Sequence, residues 1–184
     1  MRYPAAETAE KHTRILQEAG RLFRERGFAG VSVAEIMKAT GLTHGPFYNH
    51  FASKEALIAE TIEYAASEAR RTELRTPEEM VAYVDRYLGA VHRDAPGDGC
   101  CLPALGADVA REPGAKSAYT GHLKGMLRAL ADMYPWRKKK EARSEAVRMA
   151  AMMIGAVMLS RAVDDPALSD ELLREAREAF GQKR

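Results

Sequence analysis

Apolar positions recur at helical spacing in one segment after another. Ile15, Ala19, Leu22 and Phe23 fall at i, i+4, i+7 and i+8, which predicts a helix from about Ala9 to Arg26. Gly27 then stands where a left-handed stop is wanted, and Phe28 can fold back on Phe23. Ser32 and Glu35 form a capping box, with Val31 and Ile36 as the hydrophobic staple around it. Val33, Ile36 and Met37 are the inner face of this second helix, and Gly41-Leu42 ends it after about two turns. A third short helix follows, with Thr43 as its cap and Pro46 in its first turn. Phe47 and Phe51 point inward. Thr43, His44, Gly45, Tyr48, Asn49 and His50 are left outside.

Two short helices joined by a Gly-containing turn, the second with a polar and aromatic outer face, predict a helix-turn-helix. His, Asn and Thr carry donors and acceptors that meet base edges. The Tyr48 hydroxyl, the Ser32 hydroxyl at a helix start and the Lys54 ammonium suit phosphates. Gly45 permits close approach. The alternative is an ordinary small bundle with polar surface residues. His44 and His50 are six apart, which is wrong for two metal ligands on one helix face, so no metal is expected.

The body is read the same way. Ser53 caps a helix to about Arg71, with Leu57, Ile58, Ile62 and Ala65 inward. Thr76-Pro77-Glu78-Glu79 is a second capping box and starts a helix to about Arg93, with Val81, Val84, Leu88 and Val91 inward. Asp94 to Gly99 is a loop. A short helix from Pro103 to Arg111 and a longer one from about Ala115 to Tyr134 follow. The latter has a stripe of Tyr119, Leu123, Met126, Leu127 and Leu130. Trp136 to Arg143 is a basic run without an aromatic framework, read as a solvated loop or helix start. From Arg143 to about Val163 comes a helix in which Met149 to Leu159 is apolar all round, so every side of it needs cover. A last helix starts at Asp165-Pro166. Small residues at Ala150, Ala151, Gly155 and Ala156 allow close approach. A two-fold seam is expected from the last two helices of two chains, through Ala151, Gly155, Met158, Leu172, Ala176 and Phe180. The alternative is that these faces only complete one chain's core.

Composition narrows the class. The chain has 184 residues, 46% apolar and 29% charged, enough for one or two domains and too apolar for disorder. Its net charge is only +2, but residues 1–54 carry eight basic and five acidic groups while the rest is slightly negative, so the basic end is the one expected to meet a polyanion. No apolar run approaches a membrane span and no leader is visible, so a cytoplasmic protein with reduced thiols is expected. No Walker loop, Rossmann fingerprint, nucleophile elbow or HExxH motif occurs, so an enzyme is not expected, nor is a cofactor.

The segment GFAGVSVAEIMKATGLTHGPFYNHFASKEAL resembles the N-terminal domain of TetR/AcrR transcriptional regulators, over about Thr13 to Glu60. The Gly-Phe after the first helix, the Ser-Val-Ala-Glu-Ile opening, the Gly-Leu turn and Phe-Tyr-x-His-Phe carry the likeness. Gly45-Pro46 departs from it, where the family more often has Gly with Ser, Thr or Ala. The resemblance implies an all-α homodimer. In it, a three-helix head (residues 1–52) occupies a palindromic double-stranded operator until a small-molecule inducer binds a helical regulatory and dimerisation body (residues 53–184).

Two inducing chemistries remain open. One is an unidentified apolar ligand lined by Leu102, Leu105, Met126, Leu130, Met152 and Met153, whose alternative is plain core. The other is thiol chemistry at Cys100 and Cys101, just before a helix whose first residue is expected to be Pro103 and beside a loop giving access. Gly99 to Glu112 also resembles a subset of the family, some of whose members sense electrophiles. A helical oligomerisation protein without DNA binding is the remaining alternative.

Overall fold

The computed structural model describes residues 5–42, 47–70, 76–133 and 138–181. All elements among them are helical: α1 Ala5–Arg26, α2 Val33–Ala39, α3 Phe47–His50, α4 Lys54–Arg70, α5 Pro77–Tyr87, α6 Ala90–Asp94, α7 Cys101–Arg111, α8 Lys116–Asp132, α9 Lys139–Ala162 and α10 Pro166–Gly181. Short 3₁₀ turns at Pro96–Asp98 and Pro113–Ala115 precede α7 and α8.

The head forms as its local signals demand. Gly27 and Gly41 both adopt φ of 71°, the left-handed region where a side chain is strained. Phe28 meets Phe23 edge-on with ring centroids 5.4 Å apart. The Leu42 N–H donates to the Met37 carbonyl at 3.0 Å, closing the Schellman stop. Ile15, Ala19, Phe23, Ile36, Phe47 and Phe51 share one core with Leu57, Ile58 and Ile62 of α4. That core does not stop at the head. Cys101, Leu105 and Val109 of α7, with Ala115 just before α8 and Ala118 in its first turn, complete it. A second core lies between α5, α8, α9 and α10, around Met80, Leu88, Leu130, Met149, Met153, Val157 and Leu173.

Several boundaries and faces differ from the sequence reading. The helix expected to run unbroken to Arg93 stops at Tyr87 and restarts at Ala90, because Leu88 and Gly89 close the turn with bonds back to Val84 and Arg86. The inward face also differs, both within α5 and past the break. Met80, Val84, Tyr87 and Leu88 turn inward, whereas Val81 is exposed and Val91 is 84% exposed. α7 begins two residues earlier than expected, with Cys100 as its N-cap rather than Pro103 as its first residue. The loop from Asp94 to Gly99 is not open: Gly97 is buried against Glu25 and Arg21 of α1. α1 and α9 each start about four residues before the expected point, at Ala5 and Lys139. The exposed Lys138, Lys139 and Lys140 form a solvated helix start, while residues 134–137 lie outside the described residues.

Helix α9 shows how an all-apolar stretch divides. Met149, Ala150, Met153, Ala156 and Val157 face the body core. Ala151, Met158 and Leu159 (54% exposed) face away, with Ile154 and Gly155 half-buried between. On α10, Ser169, Leu173 and Ala176 pack inward, leaving Leu168 exposed and Leu172 half-buried. Ala176 is therefore inside its own chain and is withdrawn from the seam, since a methyl buried against α9 cannot meet a second copy. Phe180 also leans on the body core, half-buried.

Candidate nucleic-acid interface

The candidate surface is assembled from α1, α2 and α3. The α2 capping box is complete: Ser32 Oγ accepts the Glu35 N–H at 3.2 Å and donates to the Glu35 carboxylate at 2.8 Å, which also accepts the Ser32 N–H at 2.8 Å. These bonds, with Arg26 at 3.0 Å, hold the Glu35 carboxyl down at about 2, so it stays ionised at any working pH. The Ser32 hydroxyl is thus already engaged in both directions, which leaves its phosphate role to a rearranged bond.

In α3, Phe47 is fully buried and lies 5.7 Å from the Phe51 ring. The next residue, Tyr48, is thereby turned out and is 66% exposed, and Asn49 is exposed beside it. His50 departs from the expected outer face. It is half-buried, with its ring 5.6 Å from His12 of α1, which itself stacks on Phe51 at 4.5 Å and reaches Glu60 of α4 at 2.6 Å. Burial, then His12 and Lys11, push the His50 imidazole below its ordinary value, which favours the neutral ring. Lys54 is also half-buried: its ammonium donates to the Phe28 carbonyl at 2.6 Å and fastens α4 to the α1–α2 turn. Thr43, His44 and Gly45 lie outside the described residues, as does the Pro46 position.

Three positioning contacts have no local sequence signal. Asp108 of α7 accepts the Phe28 N–H at 3.1 Å, across 80 residues of chain. Arg24 donates through Nε to the Gly97 carbonyl at 2.8 Å, and its Nη2 points at the same oxygen. Gly30 has no room for a side chain, since a Cβ there would press on the Arg26 carbonyl oxygen. The first two tie the body directly to the end of α1, in parallel with α4.

The body residues singled out from sequence do not converge. Leu105 belongs to the head-side core, whereas Leu130 and Met153 are buried in the body core with Met126 and Met152 against it. Leu102 is fully buried. A cleft of about 690 Å³ exists instead between the end of α1, the start of α7 and the α9–α10 corner, and none of the six lines it.

The thiols are equally unlike the expectation. Cys101 is 2% exposed, 3.3 Å from Nδ1 of His122, and burial pushes its thiol up to about 12. Cys100 is half-buried overall, and desolvation of its sulfur raises it too, outweighing the Leu102 N–H, Tyr87, Arg24 and Arg161 that favour thiolate. The helix start does lower the thiols, but removal from water is the larger effect.

Cys100 also anchors an imidazole. Nδ1 of His92 faces the Tyr87 carbonyl at 2.6 Å, so it must carry the proton; Nε2 then accepts the Cys100 N–H at 2.9 Å. Only neutral His92 satisfies both bonds. Burial, with Arg161 nearby, holds its pKa below the ordinary value. The unfolded chain therefore binds this proton first as pH falls. The stability due to neutral His92 is complete above about pH 6.5 and is lost on acidification below it. The melting temperature is expected to fall between pH 7.5 and pH 5, with a shallower slope in His92→Gln; His50 contributes with the same sign. An unchanged slope in that variant would remove His92 from the account.

Taken together, a helix-turn-helix head with an exposed Tyr-Asn face, locked onto a helical body, defines a DNA-binding class of fold. Residues 15–61 match the family model described as bacterial regulatory proteins, tetR family. That match places the head, through the first half of α4, in the tetR family of bacterial regulatory proteins. It is similar to the HTH-type transcriptional repressor DhaR of Mycobacterium sp. (strain GP1), 32% identical over 92 residues, which are 48% of this chain and 46% of that one. It is likewise similar to the HTH-type transcriptional repressor NemR of Escherichia coli (strain K12), 32% identical over 103 residues, 52% of each chain. The chain thus matches about half the length of these relatives. The fold extends further: the crystal structure of E. coli NemR in its reduced form superposes with a TM-score of 0.79, over 94% of this chain and 97% of that one, at 22% identity. Among the described residues no helix is long and apolar enough to cross a membrane.

Proposed function

We propose that this protein is a transcriptional repressor, working in the cytoplasm, that binds a palindromic operator as a homodimer and is released by a small molecule acting on the body. The observation that carries the reading is Tyr48 and Asn49 held outward on α3 by the buried Phe47. Two such faces on a two-fold axis meet half-sites about one helical turn (~34 Å) or more apart. The functional division at residue 52 separates the surface that meets DNA from the part that responds, even though one hydrophobic core runs across it. Phosphates supply most of the affinity, so binding weakens steeply with salt. The uncovered α9 stripe, Ala151, Gly155 and Met158, with Leu172 of α10, is the surface for the second copy. The relatives named as repressors support the sign of regulation.

Selection from a genomic library with the purified chain tests this: an enriched palindrome at moderate salt is expected, and none would overturn the reading. Tyr48→Phe should weaken every site alike, by about fivefold, through a lost phosphate contact. Asn49→Ala should instead relax base preference at one position of each half-site by ~1–3 kcal/mol. A thiol switch at Cys100 and Cys101 is the weaker second reading. It gains from the likeness to NemR and loses from the burial that raises both thiols.

A further inference from the structure

The cleft between the end of α1, the start of α7 and the α9–α10 corner carries charge that its own neighbours do not complete. Three guanidiniums line it; Arg93 is paired with carboxylates, which leaves Arg24 and Arg161. Their bonds among the described residues go to neutral oxygens: Arg24 to the Gly97 carbonyl, Arg161 Nε to the Arg93 carbonyl at 3.0 Å and Nη2 to that of His92. Nη1 of Arg161 is buried and has no hydrogen-bond partner among the described residues. Four carboxylates also line the cleft, yet three are bonded elsewhere. Glu25 is held by Arg21 at 3.0 Å, and Asp94 and Asp170 by Arg93 at 2.7 and 2.6 Å. Asp98, Glu25 and Asp94 reach the two arginines only through space. Asp164 remains as the single lining carboxylate without a bonded partner among the described residues.

A partly buried guanidinium that meets only carbonyls is under-compensated, because carbonyl dipoles replace hydration without neutralising charge. Burial indeed pulls both groups below the ordinary arginine value. The rest of the wall combines apolar Pro96, Pro103, Ala104, Met158, Val163 and Pro166 with Ser160 and Ser169. The volume, about 690 Å³, is that of a small-ligand site.

We infer that this cleft binds a small organic carboxylate, its anionic end on Arg161 and Arg24 and its apolar part against Pro96, Pro103 and Ala104. The ligand would bridge the elements that join head to body, since Arg24 and the Pro96 turn are the tie between α1 and α7. Control of DNA binding by that ligand rests on the regulator reading above; the binding itself does not.

The test is calorimetry on the full chain without DNA, using sodium benzoate as the probe and benzamide as its neutral match. Benzoate is expected to bind one per chain at millimolar concentration or tighter, with benzamide about tenfold weaker. Arg161→Gln should weaken benzoate about tenfold. Asp164→Asn, on an exposed residue, should strengthen it about twofold by removing an opposing charge. No benzoate binding, equal binding of benzamide, or undiminished binding in Arg161→Gln overturns the inference. Should Arg161→Gln fail to fold, Asp164→Asn decides, and unchanged or weaker binding there counts against it. A failed operator search leaves this result standing, and a failed titration leaves the operator reading standing.

Discussion

Phe47→Ala is expected to abolish operator binding and to cost the head about 3–5 kcal/mol, the usual toll of emptying a fully buried aromatic site. The size follows from how little else holds α3. Its described helix is four residues long, too short to persist by its own hydrogen bonds. Its position depends on Phe47 and Phe51, which lie in the core with Ile15, Phe23 and Ile36. With Phe47 gone, Tyr48 loses the ring 5.1 Å away that turns it outward. Chemical denaturation should show the lowered midpoint, and an operator shift assay the lost complex. Phe47→Leu, which refills most of the volume, should lose far less stability and retain binding. Wild-type affinity in a folded Phe47→Ala chain would separate DNA recognition from α3 and end the proposal.

The head was legible because its determinants are local. A capping box spans four residues, and the Schellman stop needs only Gly41, Leu42 and the turn before them. Such signals recur intact in the structure, from Ser32–Glu35 to Thr76–Glu79. The contacts that join head to body are of another kind. Asp108 to Phe28 and Arg24 to Gly97 cross 80 and 73 residues, and nothing near either end of the chain segment announces its partner. The burial of the thiols was hidden for the same reason. The helix start at Cys100 could be read from Pro103 nearby, but the burial that overrides it comes from α1, α5 and α8. Register after a break was also invisible: Val91 continued an apolar period on paper, and Gly89 rotated it into solvent. The apolar circumference of α9 was legible as an excess, while its division between a core face and an outward face needed α8 and α10 in place.

That division sets the second large effect. Gly155→Trp is expected to leave the chain folded, to make it monomeric and to weaken operator binding by about 10²–10⁴-fold, the range set by losing the second linked half-site. Within one chain the new side chain starts into open space, since a Cβ at Gly155 meets nothing within 4 Å. Replacing a mid-helix glycine even favours the helix, by roughly 0.5–1 kcal/mol for alanine. Against a second copy the same position is confining. Ala151 and Gly155 are the small residues of the outward stripe, where two α9 helices can approach closely, and an indole would hold them apart. Gly155→Ala is the matched control: a slightly more stable chain, still dimeric, with operator affinity unchanged. Sedimentation velocity reads the association and the shift assay reads the DNA. If Gly155→Trp sediments as a dimer and binds as wild type does, the seam lies elsewhere, and the exposed Met158 and Leu159 need another partner.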